Sequence, residues 1–137
     1  MIDKFDGEFA FLSNFYPCTV RDGKLTFPST EHYFHAMKTL DMVERINISH
    51  AATPGESKKM GRSVKLRPDW EEVKLSVMET ALRQKFAAPE LAAKLKATGD
   101  EELVEGNWWN DTYWGVCRGV GENNLGKLLM KIRSELL

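Results

Sequence analysis

Apolar residues recur at helical spacing in several stretches of the chain and alternate over short stretches in others. The clearest helical stripe opens at Pro68. Trp70, Val73, Val77, Met78, Ala81 and Leu82 fall on one side of a helix expected over about 68–86. A second stripe, Leu125, Leu128, Leu129, Ile132 and Leu136, marks a closing helix that starts near Glu122, with Lys127, Lys131 and Arg133 off it. Start signals place four shorter helices. Ser29 or Thr30 caps one that runs to about Leu40, and a second covers Val43 to about Ser49. Thr53-Pro54-Gly55-Glu56 has capping-box spacing with Pro at the first helical position, and this helix stops near Gly61. Pro89 opens the fourth, which ends at Gly99.

Strand signals are shorter. Residues 19–27 read as a hairpin with Asp22-Gly23 at its turn. Glu102–Glu105 and Thr112–Arg118 are the other candidate strands. The order is strands, helices, strands, helix. It lacks the alternation of a parallel-sheet fold and predicts a mainly helical α+β class with a small β-sheet. The 137 residues suit a single domain over 1–137, and no repeat, low-complexity segment or linker divides them.

Composition narrows the function classes. Hydrophobic residues are 42% and charged residues 28%, which is ordinary for a chain with a packed core. Lys and Arg number 19 against 20 Asp and Glu. That balance argues against a long nucleic-acid footprint, because such binding draws on a basic excess. Cys18 and Cys117 lie far apart with no zinc-ligand spacing, so no metal or other cofactor is expected, and the two read as reduced thiols. The acidic N-terminal stretch lacks the apolar run of a signal peptide, and no run of about 18 apolar residues is present. The expectation is a cytoplasmic protein with no membrane partner.

Three constellations carry candidate chemistry. On the helix over 30–40, each residue turns by about 100°, which sets Glu31, His35 and Lys38 on one face and Tyr33, Ala36, Met37 and Leu40 on the other. Glu31 and Lys38 are roughly 10.5 Å apart along the axis, a separation that suits flanking a ribose better than a direct pair. The alternative is the polar face of an ordinary amphipathic helix. Second, Asn107-Trp108-Trp109-Asn110-Asp111-Thr112-Tyr113-Trp114-Gly115 sets three tryptophans beside a carboxylate. Indole faces stack on flat bases, and Asp111 would hold a sugar hydroxyl or stabilise a positive sugar centre. Against this stands a core anchor of buried tryptophans with Asp111 as a turn residue. Third, Gly119-Val120-Gly121-Glu122-Asn123-Asn124-Leu125-Gly126 opens the last helix, whose amides would favour a phosphate, with Arg62 as a further phosphate ligand. The alternative here is a plain turn and helix start. No Ser-His-Asp arrangement or nucleophile elbow is legible.

Phe11-Leu12-Ser13-Asn14-Phe15-Tyr16, Pro28-Ser29-Thr30-Glu31-His32-Tyr33-Phe34 with Lys38, and Gly61-Arg62 follow one another in an order that resembles the NADAR family. Trp70 through Lys74 with Met78, Ala81, Lys85 and Phe86 continue the resemblance. Asn110-Asp111 with Tyr113-Trp114-Gly115, and Gly121 with Asn124-Leu125-Gly126, complete it over nearly the whole chain. The resemblance implies an N-glycosidase acting on a small-molecule ribosyl phosphate or an ADP-ribosyl substrate. Two kinds of substrate are implied: ribosylamino-pyrimidine phosphates of riboflavin synthesis, and ADP-ribose on guanine, the latter bringing contact with a modified nucleotide in nucleic acid. It implies catalytic positions at Glu31, Lys38, Asp111 and Trp114, and substrate-binding or supporting positions at Asn14, Arg62, Trp70 and Asn124; His35, Tyr113 and Gly121 join these as candidate substrate-binding residues. His35 departs from the family pattern, which often has Gln there. The competing reading is a noncatalytic module that binds ADP-ribose or a nucleotide.

Overall fold

In the computed structural model, which describes residues 1–136, the chain forms two compact units. One is Asn14–Lys85. The other joins Met1–Ser13 to the chain from Phe86 onward. The mainly helical α+β class stands, with the strand material in two separate two-stranded sheets rather than one.

The Asn14–Lys85 unit opens with strands β1 (Val20–Asp22) and β2 (Leu25–Phe27), paired antiparallel with Asp22 opposite Leu25. The turn therefore falls on Gly23-Lys24, one residue beyond Asp22-Gly23. Helices α1 (Thr30–Ala36), α2 (Met42–Ser49), α3 (Pro54–Gly61) and α4 (Trp70–Lys85) follow. Their starts obey cap chemistry. Asp41 Oδ1 accepts the amides of Val43 and Glu44 at 2.8 and 3.2 Å. Thr53 Oγ1 accepts that of Glu56 at 3.1 Å, with Pro54 in the first turn. Side-chain acceptors of this kind satisfy amides that a helix start leaves unpaired.

Helix α4 buries Trp70, Met78, Ala81, Leu82 and Lys85, while Val73 and Val77 sit at the edge of that face. Gln84 docks α4 on the hairpin by bonding both backbone groups of Arg21, at 2.8 and 2.9 Å. Lys85 is a lysine in the interior. Its side chain is 1% exposed, with Nζ 5.7 Å from the Tyr16 ring centroid. Burial pushes the Lys85 amine down to about 8, against an opposing pull from the Cys18 thiol.

The second unit holds a 3₁₀ helix (Gly7–Leu12), α5 (Pro89–Ala97), the short parallel strands β3 (Gly106–Asn107) and β4 (Val116–Cys117), and α6 (Asn124–Glu135). Leu125, Leu128, Leu129 and Ile132 are its buried stripe, as the periodicity predicts. The strand expected over 102–105 is an isolated Ile2–Leu103 bridge, with β3 following it at Gly106–Asn107, and the one expected over 112–118 shrinks to Val116–Cys117, because side chains organise the chain between them.

Lys85 sets the first prediction. Between pH 8 and 10.5 the unfolded chain holds a proton on this amine that the folded chain has shed, so stability rises with pH across that window. Cys18 and Tyr33, both raised by burial, act in the opposite direction at alkaline pH. The difference between wild type and Lys85→Met in urea melts from pH 7 to 10.5 isolates the lysine. Wild type should gain up to about 3 kcal/mol relative to the variant across it, at 1.36 kcal/mol per pKa unit.

Candidate functional site

Helix α1 positions the first group of polar side chains. It has seven residues and all are buried, so each polar member needs a partner. Ser29 Oγ accepts the His32 amide at 3.1 Å and meets His32 Nδ1 at 2.7 Å, and His32 Nε2 lies 3.0 Å from the Ala51 carbonyl. A carbonyl can only accept, so Nε2 carries the proton and Nδ1 accepts from the Ser29 hydroxyl. His32 is thereby a structural staple. Asn14 holds the same helix start. Its carbonyl accepts the Glu31 amide at 3.2 Å, and its Oδ1 accepts the Thr30 hydroxyl at 2.8 Å.

Glu31 is 8% and His35 5% exposed, with Glu31 Oε2 3.0 Å from His35 Nε2. The carboxylate accepts, so His35 donates from Nε2. Its Nδ1 is buried with no hydrogen-bond partner in the protein. Protonation would create an unsatisfied buried N–H there. Burial indeed lowers the His35 pKa, with the Glu31 bond opposing and the Lys38 and Lys58 charges reinforcing. A neutral imidazole thus orients Glu31 without neutralising it. Gly61 makes this possible: a Cβ at Gly61 would lie 2.5 Å from His35 Nδ1 and 2.9 Å from its Cβ. Helix α3 presses bare backbone against the ring.

The expected polar stripe is present, though on a shorter helix. Met37 closes α1, and Thr39 then pairs with Leu66 in an isolated bridge. Leu40 is accordingly 62% exposed instead of packing beside Tyr33 and Met37. Lys38 lies just past the helix. The Arg67 amide bonds its carbonyl at 2.7 Å, and its Nζ sits 5.6 Å from the Phe34 ring centroid. Burial lowers the Lys38 pKa. Glu31 opposes this, while Arg62 and Lys58 add to it. Glu31, His35 and Lys38 therefore share one electrostatic cluster. Arg62 is exposed at the C-terminal end of α3 and contributes charge to it. Trp70, expected near substrate, is 6% exposed and packs on Phe34 at 5.1 Å between centroids. It supports the residues beside Lys38 through packing.

The second constellation belongs to the other unit and is built by asparagines. Asn107 Nδ2 donates to the Asp111 carbonyl at 2.9 Å and to Glu105 Oε2 at 2.9 Å, and Asn107 Oδ1 accepts the Asp111 amide at 3.1 Å. Asp111 Oδ1 then accepts the amides of Tyr113 and Trp114 at 3.2 and 2.9 Å, an Asx turn that fixes the carboxylate. Tyr113 and Trp114 meet edge to face at 4.8 Å and stay half-buried. The tryptophans do not form a buried anchor: Trp108 and Trp109 are exposed.

At the third constellation the helix start bonds the preceding turn. The amides of Glu122, Asn123, Asn124 and Leu125 donate to the carbonyls of Thr112, Gly115, Tyr113 and Trp114 at 2.8, 3.3, 3.1 and 3.0 Å. Asn124 Nδ2 also donates to Tyr113 at 3.0 Å. Gly121 has φ +154°, and a Cβ there would lie 2.0 Å from the Gly115 carbonyl oxygen. Gly121 and Asn124 therefore lock the 112–115 turn to α6, and four of the amides expected to favour phosphate bond that turn. A glycine-rich helix start shows its donors in sequence but not the carbonyls that use them. Among the described residues no group of three or more His, Cys, Asp or Glu side chains is arranged to hold a metal ion.

These features coincide with a known family. A model described as the NADAR domain matches residues 3–137. N-glycosidase YbiA of Escherichia coli (strain K12) is 45% identical over 134 residues, covering 94% of this chain and 82% of YbiA. The NMR structure of the E. coli protein YbiA matches with a TM-score of 0.85 at 42% identity, over 98% of this chain and 84% of that one. An N-glycosidase of Nostoc punctiforme is 37% identical over 131 residues, covering 90% of this chain and 83% of its own. A riboflavin biosynthesis protein of Vibrio vulnificus is 36% identical over 135 residues, of which this chain spans 36% of the length. The chain belongs to the NADAR family, and relatives at this level of similarity are named N-glycosidases.

The contact between Gly61 and His35 makes a stability prediction. Gly61→Ala should cost about 1–3 kcal/mol through overpacking. Combined with His35→Ala, the clash with the ring is removed while the contact with the position-35 Cβ at 2.9 Å remains, so a double-mutant cycle in urea should show coupling that offsets part of the cost of Gly61→Ala. His35 also sets an acid limit. Its folded pKa lies below its ordinary value, so folding stability falls as pH drops below about 6.5, where the unfolded imidazole takes up a proton first. His35→Gln should flatten that fall in melts between pH 7 and 5.

Proposed function

We propose that the chain hydrolyses the N-glycosidic bond between a ribose and a base or amine nitrogen, with Glu31 and Lys38 carrying the chemistry. The observation behind this is the buried Glu31 carboxylate, aimed by a neutral His35, in one cluster with an amine whose proton affinity burial has reduced. A purely structural polar face would not leave a lysine half-desolvated beside an oriented carboxylate. Perturbed groups held in this way mark working sites.

Two routes use these residues. In direct hydrolysis, Glu31 stabilises an oxocarbenium-like ribose or takes the proton of the attacking water, as carboxylates do in O-glycosidases. In the covalent route, the opened ribosylamine presents C1 as an imine. The neutral Lys38 amine adds to C1, the base or amine leaves with a proton, and a Lys38 imine remains. Water then adds to C1, releasing the sugar and restoring the amine. Glu31 moves the protons. The lowered Lys38 pKa supports the second route, because it raises the fraction of neutral amine.

The substrate favoured is a ribosylamino-pyrimidine phosphate, in keeping with the riboflavin biosynthesis protein among the relatives. Exposed Arg62 beside the cluster is the group proposed to meet its phosphate. ADP-ribose on guanine is the second reading.

The test is release of ribose phosphate or ADP-ribose from each substrate, followed by mass spectrometry. Glu31→Gln should lower kcat by about 10²-fold or more, and borohydride during turnover should trap sugar on Lys38. Unchanged turnover in Lys38→Ala would remove the covalent route. Tight ADP-ribose binding with no turnover in wild type, and undisturbed by Glu31→Gln, would make the chain a binding module. Asp111→Asn belongs in the same series: a comparable loss there assigns the Asp111 turn to the same substrate.

A further inference from the structure

Glu31 and His35 sit on α1, whereas Lys38 lies beyond Met37, which closes that helix. Something other than α1 must therefore fix where its amine points. The segment 66–70 does so through neighbouring contacts. Leu66 pairs with Thr39 in an isolated bridge. The Arg67 amide donates to the Lys38 carbonyl at 2.7 Å, and Arg67 Nη1 donates to the Met37 carbonyl at 3.4 Å. Trp70 packs on the Phe34 ring, 5.1 Å between centroids, and the Lys38 Nζ lies 5.6 Å from the centroid of that same ring. The backbone and the amine of Lys38 are thus both referred to one short segment.

A side-chain pair keeps that segment in shape. Arg67 Nε and Nη2 donate to Asp69 Oδ1 and Oδ2 at 2.7 and 3.1 Å, a two-point fork. The Arg67 carbonyl accepts the Trp70 amide at 3.3 Å, and the Asp69 carbonyl accepts those of Glu72 and Val73 at 3.0 and 3.1 Å. The fork is thereby tied to the first turn of α4. The Asp69 side chain is 42% exposed, and ion pairs so open to water add little to stability. Their geometry is another matter. Two parallel bonds fix a guanidinium in plane and direction, as a lysine ammonium cannot. Nη1 then reaches the Met37 carbonyl from that fixed plane. The position of an attacking amine matters because a displacement of about 1 Å costs roughly 10²-fold in rate.

We propose that the Arg67–Asp69 fork is a positioning pair for Lys38, holding the 66–70 segment so that the amine stays over the Phe34 ring within the Glu31 cluster. The proposal rests on the reading of Lys38 as a reacting amine and deepens it by naming what aims that amine. Neither Arg67 nor Asp69 needs to touch substrate. Besides burial and Glu31, the charges that act on the Lys38 amine are those of Arg62 and Lys58. Arg67 reaches it through the backbone instead.

Trace acetylation of the full chain with acetic anhydride from about pH 6 to 11, read at the Lys38 peptide by mass spectrometry, gives the titration midpoint of this amine without turnover. Arg67→Ala and Asp69→Ala should move that midpoint upward, toward the ordinary lysine value, as water reaches a loosened amine. Arg67→Lys keeps the positive charge and should move it as well, since an ammonium cannot make the fork. On a ribosylated substrate that wild type turns over, the same variants should lower kcat by about tenfold or more and leave KM within about twofold. Their urea midpoints should stay close to wild type. An unmoved Lys38 midpoint in Arg67→Ala, or a wild-type midpoint in Arg67→Lys, overturns the proposal whatever happens to kcat. If Arg67→Ala does not fold, Asp69→Ala decides in the same way. A moved midpoint with unchanged turnover keeps the positioning pair and takes Lys38 out of the chemistry. Absence of turnover in wild type removes the glycosidase reading, and the midpoint still decides the pair.

Discussion

A carboxylate buried at the start of a seven-residue helix is the constraint around which the Asn14–Lys85 unit is arranged. Helix α1 has no solvent face to which Glu31, His32 and His35 can turn. Each must therefore be satisfied from inside, and the neighbouring segments supply what is needed. The carbonyl and amide of Asn14 hold the helix start, Ala51 receives His32, and α3 offers a glycine where the His35 ring has to lie flat against backbone. A buried unpaired carboxylate would cost several kcal/mol. The imidazole is a partner that limits this cost without cancelling the charge, which a lysine or arginine at position 35 would do.

Much of this was legible from the sequence where local chemistry decides. Ser29, Thr53, Pro54 and Pro89 mark real helix starts, and the apolar stripes of α4 and α6 bury most of the residues that their spacing selects, Val73, Val77 and Leu136 staying half-buried. The grouping of Glu31, His35 and Lys38 was legible too, since three and four residues return a helix to the same side. The end of α1 was not. It is set by the Thr39–Leu66 bridge and by the Arg67 amide on the Lys38 carbonyl, both contacts with a segment nearly thirty residues later. No local signal marks Leu40 for exposure once that segment takes over the backbone.

Lys85 and the 105–125 region show two further limits. Lysine on a helical stripe reads as a solvated residue that reaches out past the apolar face, and only the tertiary arrangement of Tyr16 and Cys18 around its amine makes it interior. In the 105–125 region the periodicities of strand and helix give way to asparagine side chains acting as backbone substitutes. Asn107 closes one turn, Asn123 bonds the Leu103 carbonyl and the Glu105 amide, and Asn124 bonds Tyr113. Pattern reading credits these residues to loops, or to phosphate binding, because it sees the donors without the carbonyls that take them.

That same region explains how a turn can hold side chains in place without regular structure. The Asp111 carboxylate is fixed by the amides of Tyr113 and Trp114, whose own carbonyls are fixed by the start of α6. Each bond restrains the donor of the next, so the side chains at 111–114 inherit the rigidity of a twelve-residue helix. Gly121 is required because the chain must pass within contact of Gly115 to deliver those amides. The glycine-rich start of α6 is thus a brace of the Asp111 turn. Its donors hold still the Asp111 carboxylate and the rings of Tyr113 and Trp114.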